Sequence, residues 1–295
     1  MKSGFVALAG RPNAGKSTLL NALLREKIAI VSSKPQTTRS QIRGILNAED
    51  FQIIFTDTPG IHKARHRLES RMNREAADVI QGVDVIYLVV DGTKPFGTGD
   101  EHVLRMVKNA GLPVFLILNK IDRMKKERVL KVLESWQKRH AFDEYFPVSA
   151  LEQNDFGDLI QTTLNYLPEG ERMFPEDMNT DGSVKFRIAE IIREKILICT
   201  EEEVPHASAV VVESMEEEED VCHIQALVLV EKSGQKGILI GKEGVMLQKI
   251  TNLAKKEIAS LLDQKVQLDI FVRVEDEWRD RDSRITEFGY GNIEQ

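Results

Sequence analysis

Cysteine is almost absent from this chain, with only Cys199 and Cys222 in 295 residues. Neither lies in a CxxC pair or beside a histidine cluster, which argues against a disulfide framework or a zinc site and fits a reducing, cytoplasmic setting. Long apolar runs are missing as well. No stretch approaches the roughly 20 residues that cross a bilayer. The short apolar run near the N-terminus follows a single early lysine and leads straight into a glycine-containing loop, so it reads neither as a signal peptide nor as a span. Positive charge is not in excess: the formal net charge is −7, which taken globally argues mildly against a nucleic-acid binder, so local charge has to decide. What remains, 42% hydrophobic and 29% charged, is ordinary for soluble globular protein, and the length suggests two domains.

The first half is organised around Gly10-Arg11-Pro12-Asn13-Ala14-Gly15-Lys16-Ser17, followed by Thr18, which has the spacing of a P-loop. An apolar strand-like run over 5–9 precedes it and a helix-like run over 18–24 follows, so the motif sits at a strand-to-helix turn. Gly10 and Gly15 allow successive backbone N–H groups to face phosphate oxygens at a helix N-terminus. Lys16 adds charge for the outer phosphates, and the Ser17 hydroxyl suits Mg²⁺.

Strand patterns at 5–9, 41–46, 52–56, 83–90, 114–118 and 145–148 alternate with helical patterns at 16–25, 68–81, 100–109, 126–139 and 156–167. This predicts an α/β domain with a mixed, mostly parallel sheet, whose ligands gather at the carboxyl ends of the strands. Those ends carry Asp57-Thr58-Pro59-Gly60, Asn119-Lys120-Ile121-Asp122 and Ser149-Ala150-Leu151. With the P-loop, they give a domain that resembles the translational-type GTPases.

The resemblance implies GTP/GDP and Mg²⁺ as cofactors. Asn119 and Asp122 match the guanine-reading pair, in which the carboxylate accepts from the base N1–H and exocyclic amine. Adenine offers neither donor there, which opposes an ATP kinase. Lys120 would lie along the base, and the Ala150 N–H, between Ser149 and Leu151, would meet the guanine O6. Asp57 resembles the residue that holds Mg²⁺ through a water, and the Gly60 N–H resembles the γ-phosphate sensor. The polar run Ser32 to Arg39 falls where a first switch loop sits, and Thr38 is favoured over Thr37 as the metal-reaching threonine. Catalysis is then assigned to Lys16, Thr38, Gly60 and Asn13.

Where some relatives carry glutamine after the Asp-x-x-Gly motif, this chain has Ile61, which can neither donate nor accept. Intrinsic hydrolysis is therefore expected to be slow, with water held by backbone groups or a partner. Asn13 resembles the asparagine that binds K⁺ in potassium-stimulated relatives; the alternative is a loop asparagine satisfying its own backbone. His62, Lys63, Arg65, His66 and Arg67 read as a mobile, solvated second switch without assigned chemistry.

After a domain spanning 1–170, turn formers over 171–183 read as a linker. Residues 184–295 read as a second domain: a helix over 184–197, strands over 207–213 and 221–231, and a last strand over 266–272. The acidic run Glu216 to Glu219 reads as a solvated hairpin tip. Gly241-Lys242-Glu243-Gly244, between Ile240 and a long helix through Leu262, resembles the GxxG loop of an RNA-binding KH domain with its helix first, a smaller α+β type II KH unit. Lys236, Ile240, Gly241, Lys242, Glu243, Gly244 and Lys249 are the expected RNA contacts, with Ile240 and Ile250 forming an apolar groove for bases. From Asp181 onward, fifteen Lys and Arg stand against twenty-four Asp and Glu, a formal charge of −9. Yet Lys232, Lys236, Lys242, Lys249, Lys255 and Lys256 concentrate around the loop, which suggests selective rather than nonspecific binding.

A GTPase domain followed by a KH domain, together with Phe174-Pro175-Glu176-Asp177 and Ile191-Ile192-Arg193-Glu194-Lys195, resembles the Era family of bacterial GTPases over nearly the whole chain. That resemblance implies a monomer that binds near the 3′ end of small-subunit ribosomal RNA, assists small ribosomal subunit assembly, and associates loosely with the inner membrane. The residues alone give a nucleotide switch coupled to a single-stranded RNA reader. The competing reading is an RNA-binding assembly factor whose nucleotide is mainly structural.

Overall fold

The computed structural model describes residues 1–152 and 155–290. They form two compact units, residues 1–65 with 69–181, and residues 66–68 with those from Gly182 onward. Residues 291–295, counted in the expected second domain, lie outside the described residues.

The first unit is built on β1 (Lys2–Ala9), β2 (Ile42–Asn47), β3 (Phe51–Asp57), β4 (Val85–Asp91), β5 (Val114–Asn119) and β6 (Glu144–Pro147), in the order β2-β3-β1-β4-β5-β6. Only β2 runs antiparallel to its neighbour. The central strands are apolar nearly throughout because helices cover both faces. These helices are α1 (Lys16–Leu24), α2 (Arg67–Gln81), α3 (Thr98–Ala110), α4 (Lys126–Gln137) and α5 (Gly157–Tyr166). On α2 the buried stripe is Met72, Ala76 and Ile80, at helical spacing of four. Each such Ile or Met contributes about 1.5–3 kcal/mol by burial. The parallel register sets Asp57 opposite Leu8 and Asn119 opposite Asp91, so the motif-bearing ends share one edge of the sheet.

The stretch expected as a linker is not a free tether over 172–181. β2 is an edge strand whose outward backbone groups need partners. The Ile45 N–H donates to the Asn179 carbonyl (2.8 Å), the Asn47 amide to Met178 (2.9 Å), and the Thr180 hydroxyl to the Arg43 carbonyl (2.7 Å). Further back, Gln52 both donates to the Phe174 carbonyl and accepts from the Met173 and Phe174 N–H groups. The segment therefore straps the edge of the sheet.

The second unit runs α6 (Val184–Cys199), α7 (Val204–Ala207), β7 (Ala209–Glu218), β8 (Val221–Val230), α8 (Ser233–Ile240), α9 (Val245–Leu262), β9 (Lys265–Val274) and α10 (Asp282–Glu287). β7 and β8 are antiparallel, β8 and β9 parallel. Its core joins Ile188, Ile192 and Ile196 of α6 to Ile250, Ala254 and Ile258 of α9, each series at intervals of four, over the inner face of the sheet. One sequence expectation sharpens and another changes. The acidic run is at the tip of a hairpin as expected, but the pairing reaches further into it: Glu216, Glu217 and Glu218 pair with His223, Cys222 and Val221, so the strand runs past 213 and leaves Glu219 and Asp220 as the turn. Ile250 is fully buried in that core and forms no groove, because the inward face of α9 includes it.

Candidate functional site

The phosphate loop is shaped by one glycine above all. Gly15 caps α1 at φ 97°, and a Cβ there would stand 2.2 Å from the Asn119 amide nitrogen. Lys16 is buried and its ammonium folds back on the Gly10 and Arg11 carbonyls (3.3 and 3.2 Å). Burial pushes the Lys16 ammonium below its ordinary range, and the Asp57 carboxylate opposes that shift. Arg11 turns its side chain away, pairing with Asp100 of α3 at 2.9 Å, so only its backbone belongs to the loop.

Three oxygen-bearing side chains from three separate elements converge beside Lys16. The Ser17 hydroxyl donates to Asp57 (2.5 Å), lies 2.8 Å from the Thr38 hydroxyl, and Thr38 reaches the same carboxylate oxygen at 3.1 Å. Asp57 is fully buried, and its other oxygen, Oδ1, has no hydrogen-bond partner. Burial raises the Asp57 carboxyl above its usual range, with Lys16, Ser17 and Thr38 pulling the other way. Two hydroxyls and a carboxylate with an unmatched oxygen fit a hard divalent cation, which would compensate the buried charge. Thr38, rather than Thr37, stands in this cluster; the Thr37 hydroxyl donates to the Lys34 carbonyl (2.8 Å).

At the other end, Asn119 is a brace. Its amide donates to Ala14 (2.9 Å) and its oxygen accepts from the Lys120 and Ala150 N–H groups (2.8 and 3.0 Å), bolting the P-loop to the 149–151 loop. The Ala150 N–H, expected to meet a base oxygen, is thus engaged by Asn119. Asp122 accepts the Ser149 hydroxyl at 2.6 Å. Lys120 spans the Asn13 carbonyl and Asp91 (both 2.7 Å), and Leu151 is exposed. Thr58 is a buried anchor donating to the Leu8 carbonyl (2.8 Å). Thr18, on the first turn of α1, is half-buried and lines the cleft with Pro12 and Gly60.

The second switch presses on the first motif. A Cβ on Gly60 would meet Pro12 at 2.7 Å, which excludes any side chain there. Ile61 is buried in the core and its N–H donates to the Gly10 carbonyl (3.2 Å), so that position faces inward rather than toward the cleft. The Asn13 amide donates to the Ser33 carbonyl (2.7 Å), which ties the P-loop to the 32–39 segment rather than to its own backbone. Sequence reasoning gave no role to Gln36 or His62 and did not single out Glu69 or Asn73, yet the four meet beside Gly60. Nothing in their spacing marks them, since Gln36 meets His62 and Glu69 across 26 and 33 residues.

In the second unit Gly241 (φ 72°), Glu243 (φ 52°) and Gly244 (φ 80°) form a tight turn between α8 and α9. A Cβ on Gly241 would strike Met246 at 2.7 Å. Lys242, Glu243 and Lys249 are exposed, Lys236 and Ile240 half-buried. Val245, Lys249 and Leu253 share one exposed face of α9, so the apolar surface beside the loop comes from Val245 and Leu253 in place of Ile250. The C-terminal tail is an internal wedge: Trp278 is fully buried, donates to the Ala207 carbonyl (2.8 Å) and packs against Phe288 and Tyr290.

A P-loop after β1, with Asn119 and Asp122 at the end of β5 on the same edge of the sheet, defines a GTPase domain, and a second domain follows it. Residues 5–120 match the family described as 50S ribosome-binding GTPase, and residues 203–279 match the KH domain. The chain is 45% identical over 291 residues to the GTPase Era of Clostridium kluyveri, covering 98% of this chain and 99% of that protein. A variant of Aquifex aeolicus Era bound to GDP and AlF4⁻ superposes with a TM-score of 0.96 at 38% identity, covering 99% of this chain and 100% of that one. The same TM-score, identity and coverage hold for an Era in complex with MgGDPNP and nucleotides 1506–1542 of 16S ribosomal RNA. The chain belongs to the Era family of GTPases. Among the described residues, no helix is long and apolar enough to cross a membrane.

Proposed function

We propose that this GTPase is a nucleotide-controlled reader of the 3′ end of small-subunit ribosomal RNA that assists assembly of the small ribosomal subunit. The observation that carries the nucleotide half is the convergence of Ser17, Thr38 and Asp57 on one buried point beside Lys16. Mg²⁺ bound there supplies charge neutralisation for the phosphates. The chain's own groups do the rest. Lys16 leaves its loop carbonyls for the outer phosphates, the loop N–H groups donate to the phosphate oxygens, and Thr38 and Gly60 close over the γ-phosphate. Asp122, oriented by Ser149, accepts from the guanine edge, while Asn119 and Lys120 brace the base loop against Asn13 and Ala14. Asn13 and the Ser33 carbonyl, already in contact, are the natural oxygen-bearing pair for a K⁺ ion beside the phosphates.

We assign 1–170 to nucleotide chemistry, 171–183 to the connection, and 184–295 to RNA. Gly241 to Gly244 bring the strand backbone close, Lys236, Lys242 and Lys249 meet its phosphates, and Ile240 and Val245 contact bases. The Era complex with a 16S ribosomal RNA fragment supports this choice of RNA. Two free cysteines support a cytoplasmic site. A monomer with loose attachment to the inner membrane is supported by family resemblance alone.

The test is binding of a 3′-terminal small-subunit RNA oligonucleotide with GDP and with a nonhydrolysable GTP analogue. Tighter binding in one state is expected; equal affinity would defeat the coupling. The inward-facing Ile61 favours a second reading, in which the nucleotide is mainly structural. Multiple-turnover hydrolysis stimulated by RNA and abolished by Lys16→Ala would exclude it.

A further inference from the structure

The Gly60–Ile61 peptide is pinned from both sides. Its N–H donates to the Gly10 carbonyl, and its carbonyl faces His62 Nδ1 at 2.8 Å. A carbonyl only accepts, so Nδ1 carries the proton, and in the neutral ring Nε2 is then an acceptor. Two groups face Nε2: the Gln36 amide nitrogen at 3.2 Å, which can donate, and farther off Glu69 Oε2 at 3.6 Å. The other proton of that amide goes to Glu69 at 2.5 Å, and the second Glu69 oxygen accepts the Arg65 N–H at 2.5 Å. Burial would raise the Glu69 carboxyl, yet the hydrogen bonds from Arg65 and Gln36 outweigh it and hold the group below its ordinary range. Asn73 closes the backbone of His62, donating to its carbonyl (2.6 Å) and accepting from its N–H (3.3 Å). With Nδ1 as the donor to Gly60, the hydrogen bonds run from Gln36 through His62 to the Gly60 carbonyl, and Glu69 holds Gln36 and Arg65 from the other side.

Its two ends lie in different switch loops. Gln36 is two residues before Thr38, and Gly60 carries the second loop against Pro12. We infer that His62 is a positioning residue of the GTPase reaction, fastening Gln36 of the first switch to the Gly60 carbonyl of the second so that both loops keep their geometry as one body. This rests on the roles proposed above for Thr38 and Gly60. It also offers a use for the side chain that follows the inward-turned Ile61: it organises the loops instead of touching the water.

The experiment measures kcat, KM and GDP affinity for the unmodified protein, His62→Ala, Gln36→Asn and the double variant. Asn is chosen because Gln36 sits at φ 61°, a conformation Asn tolerates, while its shorter amide withdraws from His62. Each single variant is expected to lose about tenfold in kcat, the scale of one or two hydrogen bonds, with KM changed far less. GDP affinity should be unchanged, and the double variant should be no worse than about the weaker single. Retention of kcat within about twofold in both singles, or losses that multiply in the double, would overturn the inference. So would a parallel fall in GDP affinity, which marks general damage. Should His62→Ala fail to fold, Gln36→Asn alone decides the matter by its kcat. No hydrolysis by the unmodified protein would instead overturn the roles on which the inference rests.

Discussion

Two glycine loops in this chain each open a helix at a left-handed residue, and they are built to opposite ends. Gly15 caps α1 at φ 97° and Gly244 caps α9 at φ 80°. Around Gly15 there is no room, since an added Cβ would collide with Asn119, and around Gly244 nothing lies within 4 Å. Lys16 is buried and folded onto its own loop, whereas Lys242 and Lys249 are exposed. The first loop desolvates its lysine before any ligand arrives, which suits a compact, fixed polyphosphate. The second leaves its lysines in water around an open turn, which suits a flexible strand whose backbone must slide close. Gly15 is needed for space and conformation, as is Gly241 beside Met246, whereas Gly244 at the helix cap is needed for conformation alone.

That contrast is sharpest for Lys16. Lys16→Ala should lower GTP turnover by about 10²–10³-fold or more, as loss of a transition-state charge does, while leaving the Tm near that of the parent, because the buried ammonium costs desolvation. Turnover by steady-state phosphate release and Tm by calorimetry check both halves. Asp122→Asn comes next. It removes the carboxylate held by Ser149, and GTP affinity should fall by about 10²-fold with the preference over ATP largely lost. Competition binding with both nucleotides reads it. On the RNA side, Gly241→Asp with Gly244→Asp should weaken RNA binding by tenfold or more and leave GTP affinity alone. Unchanged RNA affinity would remove the functional basis for comparing the loops at all.

The two loops also differed in how far they could be read. Ser17, Asp57, Asn119 and Asp122 were legible because a parallel sheet sends every strand's carboxyl end to one edge, so local motifs become a site without knowledge of side-chain contacts. GxxG is too short to do this, and it gained meaning only from the order of helices and strands around it. What stayed hidden depended on contacts between distant positions. The spacing of α9 marks an amphipathic helix, but only packing shows that Ile250 faces in and that Val245 and Leu253 face out. Four successive glutamates mark a solvated hairpin tip by charge, but not that three of them continue the strand pairing with their side chains in solvent. The strap over β2 is backbone pairing, to which sequence is nearly blind. His62 was set aside with its cationic neighbours because nothing local announces Gln36 as its partner.

The second unit also holds a buried charge pair outside its loop. In α6, Arg193 is fully buried and grips Glu190 through two bonds of 2.7 Å. Arg193→Ala leaves that carboxylate uncompensated and should cost about 3–5 kcal/mol, seen as unfolding of the KH unit at lower denaturant. No surface lysine beside the RNA loop should approach this.

The smallest effect is the most discriminating for the second loop. Among the described residues Lys249 makes no ion pair, and it shares its face of α9 with Val245 and Leu253. If it meets a phosphate, Lys249→Ala should weaken RNA binding severalfold for every sequence tried and reduce the slope of log affinity against log salt by about 0.7, the single-strand value for one contact. Val245→Ala should leave that slope intact and instead flatten the preference among RNA sequences, because an apolar contact releases no counterion. If Lys249→Ala changes affinity without changing the slope, the lysine is packing against a base or a helix, and the open loop reads its strand by shape rather than by charge.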